Sequence, residues 1–196
     1  MSDKDLSFEG ELFVRYNSGA VRAHVGCQKV EVTSRSDRGA TGGLNDVVLN
    51  QCEDIKKVNY ACLNTYPDTR SVNLYFRYSA ESDAYSIYVR DKECPGNFIS
   101  VSNGYLYFAD NPEQDSRFHL FRDGKSIKLD YLWEDTVHVK IKQKGNEEFL
   151  QLHSKEANSA YPNRWWGAVV THGGNGGTLD FDLKITKRQV DWVSKS

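Results

Sequence analysis

The feature that most constrains the fold is a short pattern of alternating apolar and polar residues that recurs along the chain. In each copy apolar and aromatic residues return at every second position, which is typical of strands with one buried face. Repetition of such units predicts an architecture built from repeated strand pairs. The copies are Leu74–Phe76 with Tyr85–Asp91, Leu106–Phe108 with Phe118–Asp123, and a looser one in Phe149–Leu152 with Leu179–Ile185.

Turn signals separate the alternating runs. Asn103-Gly104 and Asp123-Gly124 each lie between two runs, and both residues of such a pair tolerate the positive φ of a tight hairpin. The glycine-rich segment 173–177 is interpreted as another hairpin tip. No window holds apolar residues at helical spacing over three turns. The sequence therefore predicts an all-β chain of about a dozen strands, arranged as a sandwich or a closed barrel.

One stretch of the chain resembles a known repeat. Gly96–Phe108 followed by Ser116–Phe121 is similar to the repeat of fascin-like and ricin-B-like β-trefoil domains. That repeat opens with a glycine, an aromatic, an aliphatic and a serine, continues through an Asn-Gly or Asp-Gly turn, and closes on F-x-L. Glu148–Leu152 with Leu179–Leu183 shares the opening strand and the closing F-x-L, and Asn59–Asn64 with Ala84–Ile87 is a weaker copy. The resemblance implies a β-trefoil.

We expect a single domain over residues 1–196. Residues 1–55 would add N-terminal strands to a trefoil formed by residues 56–188. The closing strands at Tyr85, Phe118 and Phe181 are unequally spaced, so a trefoil would hold a long insert in its last third. Because two packed sheets would also accommodate this spacing, a two-layer β-sandwich is the alternative.

Charge and hydropathy exclude several classes of partner. The chain has 25 Lys and Arg against 27 Asp and Glu, a net charge of −2, so no overall field attracts phosphate backbones and we expect no nucleic acid partner. No run of 18 apolar residues occurs, and the acidic start Met1–Asp5 differs from a secretory leader. We therefore expect no membrane partner, and a protein that is cytoplasmic or released without a signal peptide.

The cysteines and the motifs argue against a metal and against catalysis. Cys27, Cys52, Cys62 and Cys94 lack the C-x-x-C spacing of zinc and redox motifs, so we expect no metal site. Without a leader, reduced thiols are the expectation, and one or two disulfides are the alternative. No G-x-S-x-G, H-E-x-x-H, Walker or G-x-G-x-x-G motif is present, which favours a non-enzymatic protein without a cofactor.

The most suggestive local cluster runs from Tyr161 to Trp166. Adjacent tryptophans on a strand point to opposite faces, and the alternation of Trp166 with Ala168 and Val170 predicts that Trp166 is buried and Trp165 faces outward. An outward indole beside polar side chains would suit stacking on a sugar. The alternative is that Trp165 packs beneath the preceding insert. The predicted ligand-binding residues are Tyr161, Asn163, Arg164 and Trp165.

These features together predict a lectin-like carbohydrate-binding protein. The Q-x-W signature of ricin-B-like repeats is absent, so the sugar sites of those lectins cannot be carried over. One alternative is a protein-binding module, either a protease inhibitor or a cytoskeletal binder that uses the face shared by Lys140, Lys142 and Lys144. Another is a membrane-active β-sandwich toxin anchored by clustered Trp and Tyr residues.

Overall fold

A computed structural model describes residues 2–16, 21–36, 49–111, 116–158 and 161–191. This part of the chain is all-β, as predicted, and its only helices are two 3-10 turns at Lys4–Leu6 and Leu129–Tyr131. None of its helices is long and apolar enough to cross a lipid bilayer. Its strands are β1 (Phe8–Tyr16), β2 (Val21–Ser36), β3 (Leu49–Asn64), β4 (Leu74–Ser79), β5 (Ala84–Val89), β6 (Phe98–Ser102), β7 (Tyr105–Ala109), β8 (Phe118–Arg122), β9 (Lys125–Ile127), β10 (Thr136–Gln143), β11 (Gln151–Asn158), β12 (Tyr161–Val170) and β13 (Phe181–Arg188).

Six of these strands close into a ring. β1 pairs with β4 and β13, β5 pairs with β4 and β8, and β10 pairs with β8 and β13, all antiparallel. Phe8 on β1 lies opposite Phe76 on β4, and their rings stack with centroids 4.6 Å apart. Because each strand of the ring has a neighbour on both sides, the ring leaves no open sheet edge.

Three hairpins, β2–β3, β6–β7 and β11–β12, pack against this ring. They also pair with one another through β3–β7, β3–β12 and β7–β12. Their inward residues Val25, Ile99 and Val169 line the same small apolar cavity as Leu74 and Phe181 of the ring. The hairpins therefore close over the core of the ring, and all the described strands belong to one antiparallel sheet.

The N-terminal strands are part of this arrangement. β1, within the segment 1–55 that is expected to add N-terminal strands, lies in the ring between β4 and β13. Leu12 and Val14 of β1 are buried in the main core. The partners of β1 are distant in sequence, so no local pattern indicated that it would complete the ring.

The cysteines depart from the expectation of reduced thiols. Cys27 on β2 and Cys94 in the segment between β5 and β6 form a disulfide, with Cα atoms 5.6 Å apart. The fold brings together two residues that are 67 positions apart in the chain, a proximity that spacing alone does not reveal. Cys62 is a buried free thiol, and burial raises its pKa well above the ordinary value. The side chain of Cys52 lies outside the described residues.

Candidate functional site

Both of the adjacent tryptophans are buried, as predicted for Trp166 but not for Trp165. Trp165 is 1% exposed and lies in the main core with Val169. Trp166 is 7% exposed and belongs to a smaller cluster on the other side of β12, with Cys62 and Tyr66. Both faces of β12 are apolar, so alternation alone could not decide which face turns inward. The prediction that Trp165 faces solvent is wrong, and its indole offers no surface to a sugar.

Two of the four predicted ligand-binding residues can be placed. Arg164 is half-buried, and Trp165 is held by Thr65, because its backbone N–H donates to Thr65 Oγ1 at 2.8 Å and its carbonyl accepts from Thr65 N–H at 3.0 Å. The side chains of Tyr161 and Asn163 lie outside the described residues. The contacts of Trp165 are those of a core residue.

A concave cavity of about 580 Å3 lies on the side of the three hairpins that faces away from the main core. Its volume is within the size range of small-molecule sites. We call it the cap cavity. Each hairpin contributes to it, because Tyr60 lies on β3, Tyr105 and Tyr107 on β7, His153 on β11 and Trp166 on β12. The cap cavity therefore exists only when all three hairpins are assembled.

Strand alternation explains why aromatic side chains line this cavity. On β7, Leu106 and Phe108 point into the main core, so Tyr105 and Tyr107 point to the opposite side. Tyr60 and Tyr107 lie directly opposite each other where β3 pairs with β7. Side chains in such cross-strand pairs are close enough to contact each other, and an aromatic wall is the result.

The rings of the cap cavity meet at defined angles. His153 lies edge-on to Tyr105, with centroids 5.6 Å apart and planes at 88°. Tyr60 and Trp166 lie 6.5 Å apart at 39°. Tyr105 is 39% exposed, whereas Tyr60, Tyr107 and His153 are half-buried. Tyr105 therefore presents the most accessible aromatic ring to a ligand.

Polar groups accompany the aromatic wall. Asn59 and Ser102 line the cavity with exposed side chains, and they supply an amide and a hydroxyl that both donate and accept hydrogen bonds. The imidazole of His153 adds a further polar group. In the described part of the chain, no group of three or more His, Cys, Asp or Glu residues could hold a metal ion. The cap cavity therefore combines aromatic rings with groups that donate and accept hydrogen bonds.

Tyr60, Tyr105 and Tyr107 are not among the predicted site residues, because each of them occurs within an alternating strand pattern. The available signal was that Tyr105 and Tyr107 alternate with Leu106 and Phe108. Aromatic side chains grouped on the second face of a strand form an apolar patch, and such patches often mark binding sites.

No protein family, curated protein or solved structure matches this chain.

Proposed function

We propose that this protein is a non-enzymatic, lectin-like carbohydrate-binding protein whose ligand occupies the cap cavity. The observation that carries the proposal is the joint presence of Tyr60, Tyr105, Tyr107 and Trp166 with an amide, a hydroxyl and an imidazole around one concavity. The C–H faces of a sugar pack on aromatic rings, and its hydroxyls pair with a few well-placed polar groups.

The charge near the cap cavity agrees with a largely uncharged sugar at this position. The ammonium of Lys29 lies 5.7 Å from the Trp166 ring. Glu31 pairs with this ammonium at 2.9 Å and also with Lys56, so its carboxylate offsets part of the positive charge. Affinity at the cap cavity would therefore come from stacking and hydrogen bonds.

We also infer that the architecture is a β-trefoil. The inference is supported by the six-stranded ring of β1, β4, β5, β8, β10 and β13, and by the three hairpins that pair with one another over it. On this interpretation the cap cavity lies where the three repeats converge. The fold alone does not imply a function, so carbohydrate binding rests on the side chains of the cavity.

The test is a matched pair of tyrosine substitutions. A glycan array would first identify a ligand of the wild-type protein, and Tyr105→Ala is then expected to weaken its binding at least about tenfold, since stacking by an aromatic ring and its area burial are both lost. Tyr131→Ala is the control, because Tyr131 is 63% exposed and is not among the residues that line the cap cavity. Calorimetric titration of both variants measures the difference. Equal affinities, with both variants folded by circular dichroism, would reject the cap cavity as the site.

A further inference from the structure

A second cavity, of about 430 Å3, lies between β8, β10 and the segment that leads into β11. We call it the lateral cavity. Phe121, His138, Lys140 and Phe149 contribute to its walls, and none of these residues lines the cap cavity. The two cavities therefore differ in composition, because the lateral one contains cationic side chains beside aromatic rings.

His138 is held in place by a buried carboxylate. Asp182 is 3% exposed, and its two oxygens lie 2.6 Å from His138 Nδ1 and 2.7 Å from Arg15 Nε. Because Nδ1–H donates to Asp182, Nε2 is the ring nitrogen left for a ligand. In the neutral ring Nε2 accepts a hydrogen bond from a hydroxyl, and in the protonated ring it donates one to an anion. The positive charge of Arg15 offsets the negative charge of the Asp182 carboxylate. The carboxylate therefore repels an incoming anion less strongly.

Two lysines flank one aromatic ring beside the imidazole. His138, Lys140 and Lys142 alternate on β10 with buried residues, so all three point away from the core. The ammonium groups of Lys140 and Lys142 each lie 5.8 Å from the centroid of Phe149. Phe121 meets Phe149 edge-on at 5.3 Å. Cationic groups thus border an apolar surface that could pack against a sugar ring.

These ammonium groups retain capacity to bind an anion. Lys140 Nζ lies 3.6 Å from Asp180 Oδ1, but both side chains are well exposed, and exposed pairs of this kind contribute little free energy. Within the described part of the chain, no carboxylate forms an ion pair with Lys142. Asp123 and Asp180 also line this cavity, and their carboxylates repel an anion, so the anionic group is placed beside the lysines and away from these two side chains.

One face of an extended segment runs from the lateral cavity to the cap cavity, and the loop at Gly174 contacts it at Gln151. Phe149, Gln151 and His153 alternate with the buried Leu150 and Leu152, so the three side chains share one face of an extended segment. Phe149 lines the lateral cavity and His153 lines the cap cavity. Four residues of extended chain span about 13 Å, a separation that a short oligosaccharide can bridge.

We propose that the lateral cavity binds the anionic group of an acidic glycan, a carboxylate or a sulfate, while a neighbouring sugar of the same chain occupies the cap cavity. This inference rests on the proposed carbohydrate binding at the cap cavity. The anionic oxygens accept hydrogen bonds from Lys140 and Lys142, and the apolar face of the acidic sugar packs on Phe149.

The experiment compares three probes on the full chain by calorimetry at low salt: a trimer of galacturonic acid, a sulfated heparin-type hexasaccharide and an uncharged cellohexaose. We expect one of the acidic probes to bind at least about tenfold more tightly than the uncharged one, with an advantage that falls as salt is raised. Whether the carboxylated or the sulfated probe binds more tightly identifies the anionic group.

The double variant K140Q/K142Q is expected to remove this advantage, so that the acidic probes bind no more tightly than the uncharged one. The control is K57Q/K92Q, which changes the net charge equally at two exposed lysines that do not line the lateral cavity. Binding of the uncharged probe without any gain from acidic groups, or equal losses in the two double variants, overturns the inference alone. Failure of the wild-type protein to bind any glycan overturns the proposed function, and the inference with it.

Discussion

At the scale of single residues, Trp165 shows how a large side chain anchors a hairpin to the core. It is among the largest fully buried side chains of the described structure. Its backbone N–H and C=O both form hydrogen bonds with Thr65. We expect Trp165→Ala to lower the free energy of unfolding by about 3–5 kcal/mol, because the substitution leaves a cavity in the main core. Urea denaturation monitored by circular dichroism measures this change.

A second tryptophan provides the control for that prediction. Trp133 is 86% exposed, and substitutions at exposed positions without structural contacts change stability by about 0.5 kcal/mol or less. Trp133→Ala should therefore unfold close to the wild-type midpoint. If the two alanine variants lost the same amount of stability, the assignment of Trp165 to the core would be contradicted.

His24 makes the folded state sensitive to acid. Burial lowers the pKa of His24 to about 4 from its ordinary value of 6.5, and its Nε2 is buried with no hydrogen-bond partner in the described structure. The unfolded chain therefore binds a proton near pH 6.5 that the folded chain resists until about pH 4. Stability must fall as the pH is lowered through this window.

The corresponding measurement is the melting temperature as a function of pH. His24→Gln removes the titrating group, so the variant should lose less stability than the wild type between pH 6.5 and pH 4. Some slope will remain, because burial also lowers the pKa of His119. Parallel curves for the two proteins would show that His24 is not the residue responsible.

At the scale of elements, the hairpin turns behave as their sequences predict. Asn103 and Gly104 have φ values of 49° and 81°, and Asp123 and Gly124 have 51° and 76°. These are the paired positive angles of the tight turns that such dipeptides favour. The two glycines have similar backbone conformations but different surroundings, which makes them a matched pair.

Alanine at these two positions should separate backbone strain from steric clash. A Cβ at Gly124 would meet nothing within 4 Å, whereas a Cβ at Gly104 would lie 2.8 Å from the imidazole of His172. We expect Gly124→Ala to cost about 1–2 kcal/mol from the left-handed backbone alone, and Gly104→Ala to cost more because His172 must also move. Chemical denaturation of both variants tests the order, and equal costs would contradict the clash.

Local patterns predicted the strands well but not their faces. Alternation and turn dipeptides indicated the hairpin β6–β7 and the strand pair β8–β9, because both signals are contained within a few residues. The same alternation was ambiguous on β12, where Trp165 and Trp166 are both buried. Alternation also does not reveal that Asp182 is buried, because its partners Arg15 and His138 lie on other strands.

At the scale of the whole molecule, what escaped sequence reasoning depends on contacts between distant segments. The ring closes because β1 pairs with β13 at the other end of the chain, and no local pattern encodes that pairing. The cap cavity was missed for the same reason. Tyr60, Tyr107 and His153 lie on three different hairpins, and only their assembly brings these side chains together.

The disulfide is the covalent counterpart of this long-range organisation, since Cys27 lies in the first hairpin and Cys94 in the segment that leads into the second. A cross-link between residues 67 positions apart restricts the unfolded chain, and the chain-entropy relation assigns it about 4 kcal/mol. We therefore expect the double variant C27A/C94A to unfold at lower urea concentration, and wild-type protein treated with reductant to shift toward the same midpoint.

Because Cys62 is buried and free, its thiol should react only after unfolding. A titration that finds all four cysteines as free thiols in denatured, unreduced protein would contradict the disulfide, and with it the difference in stability.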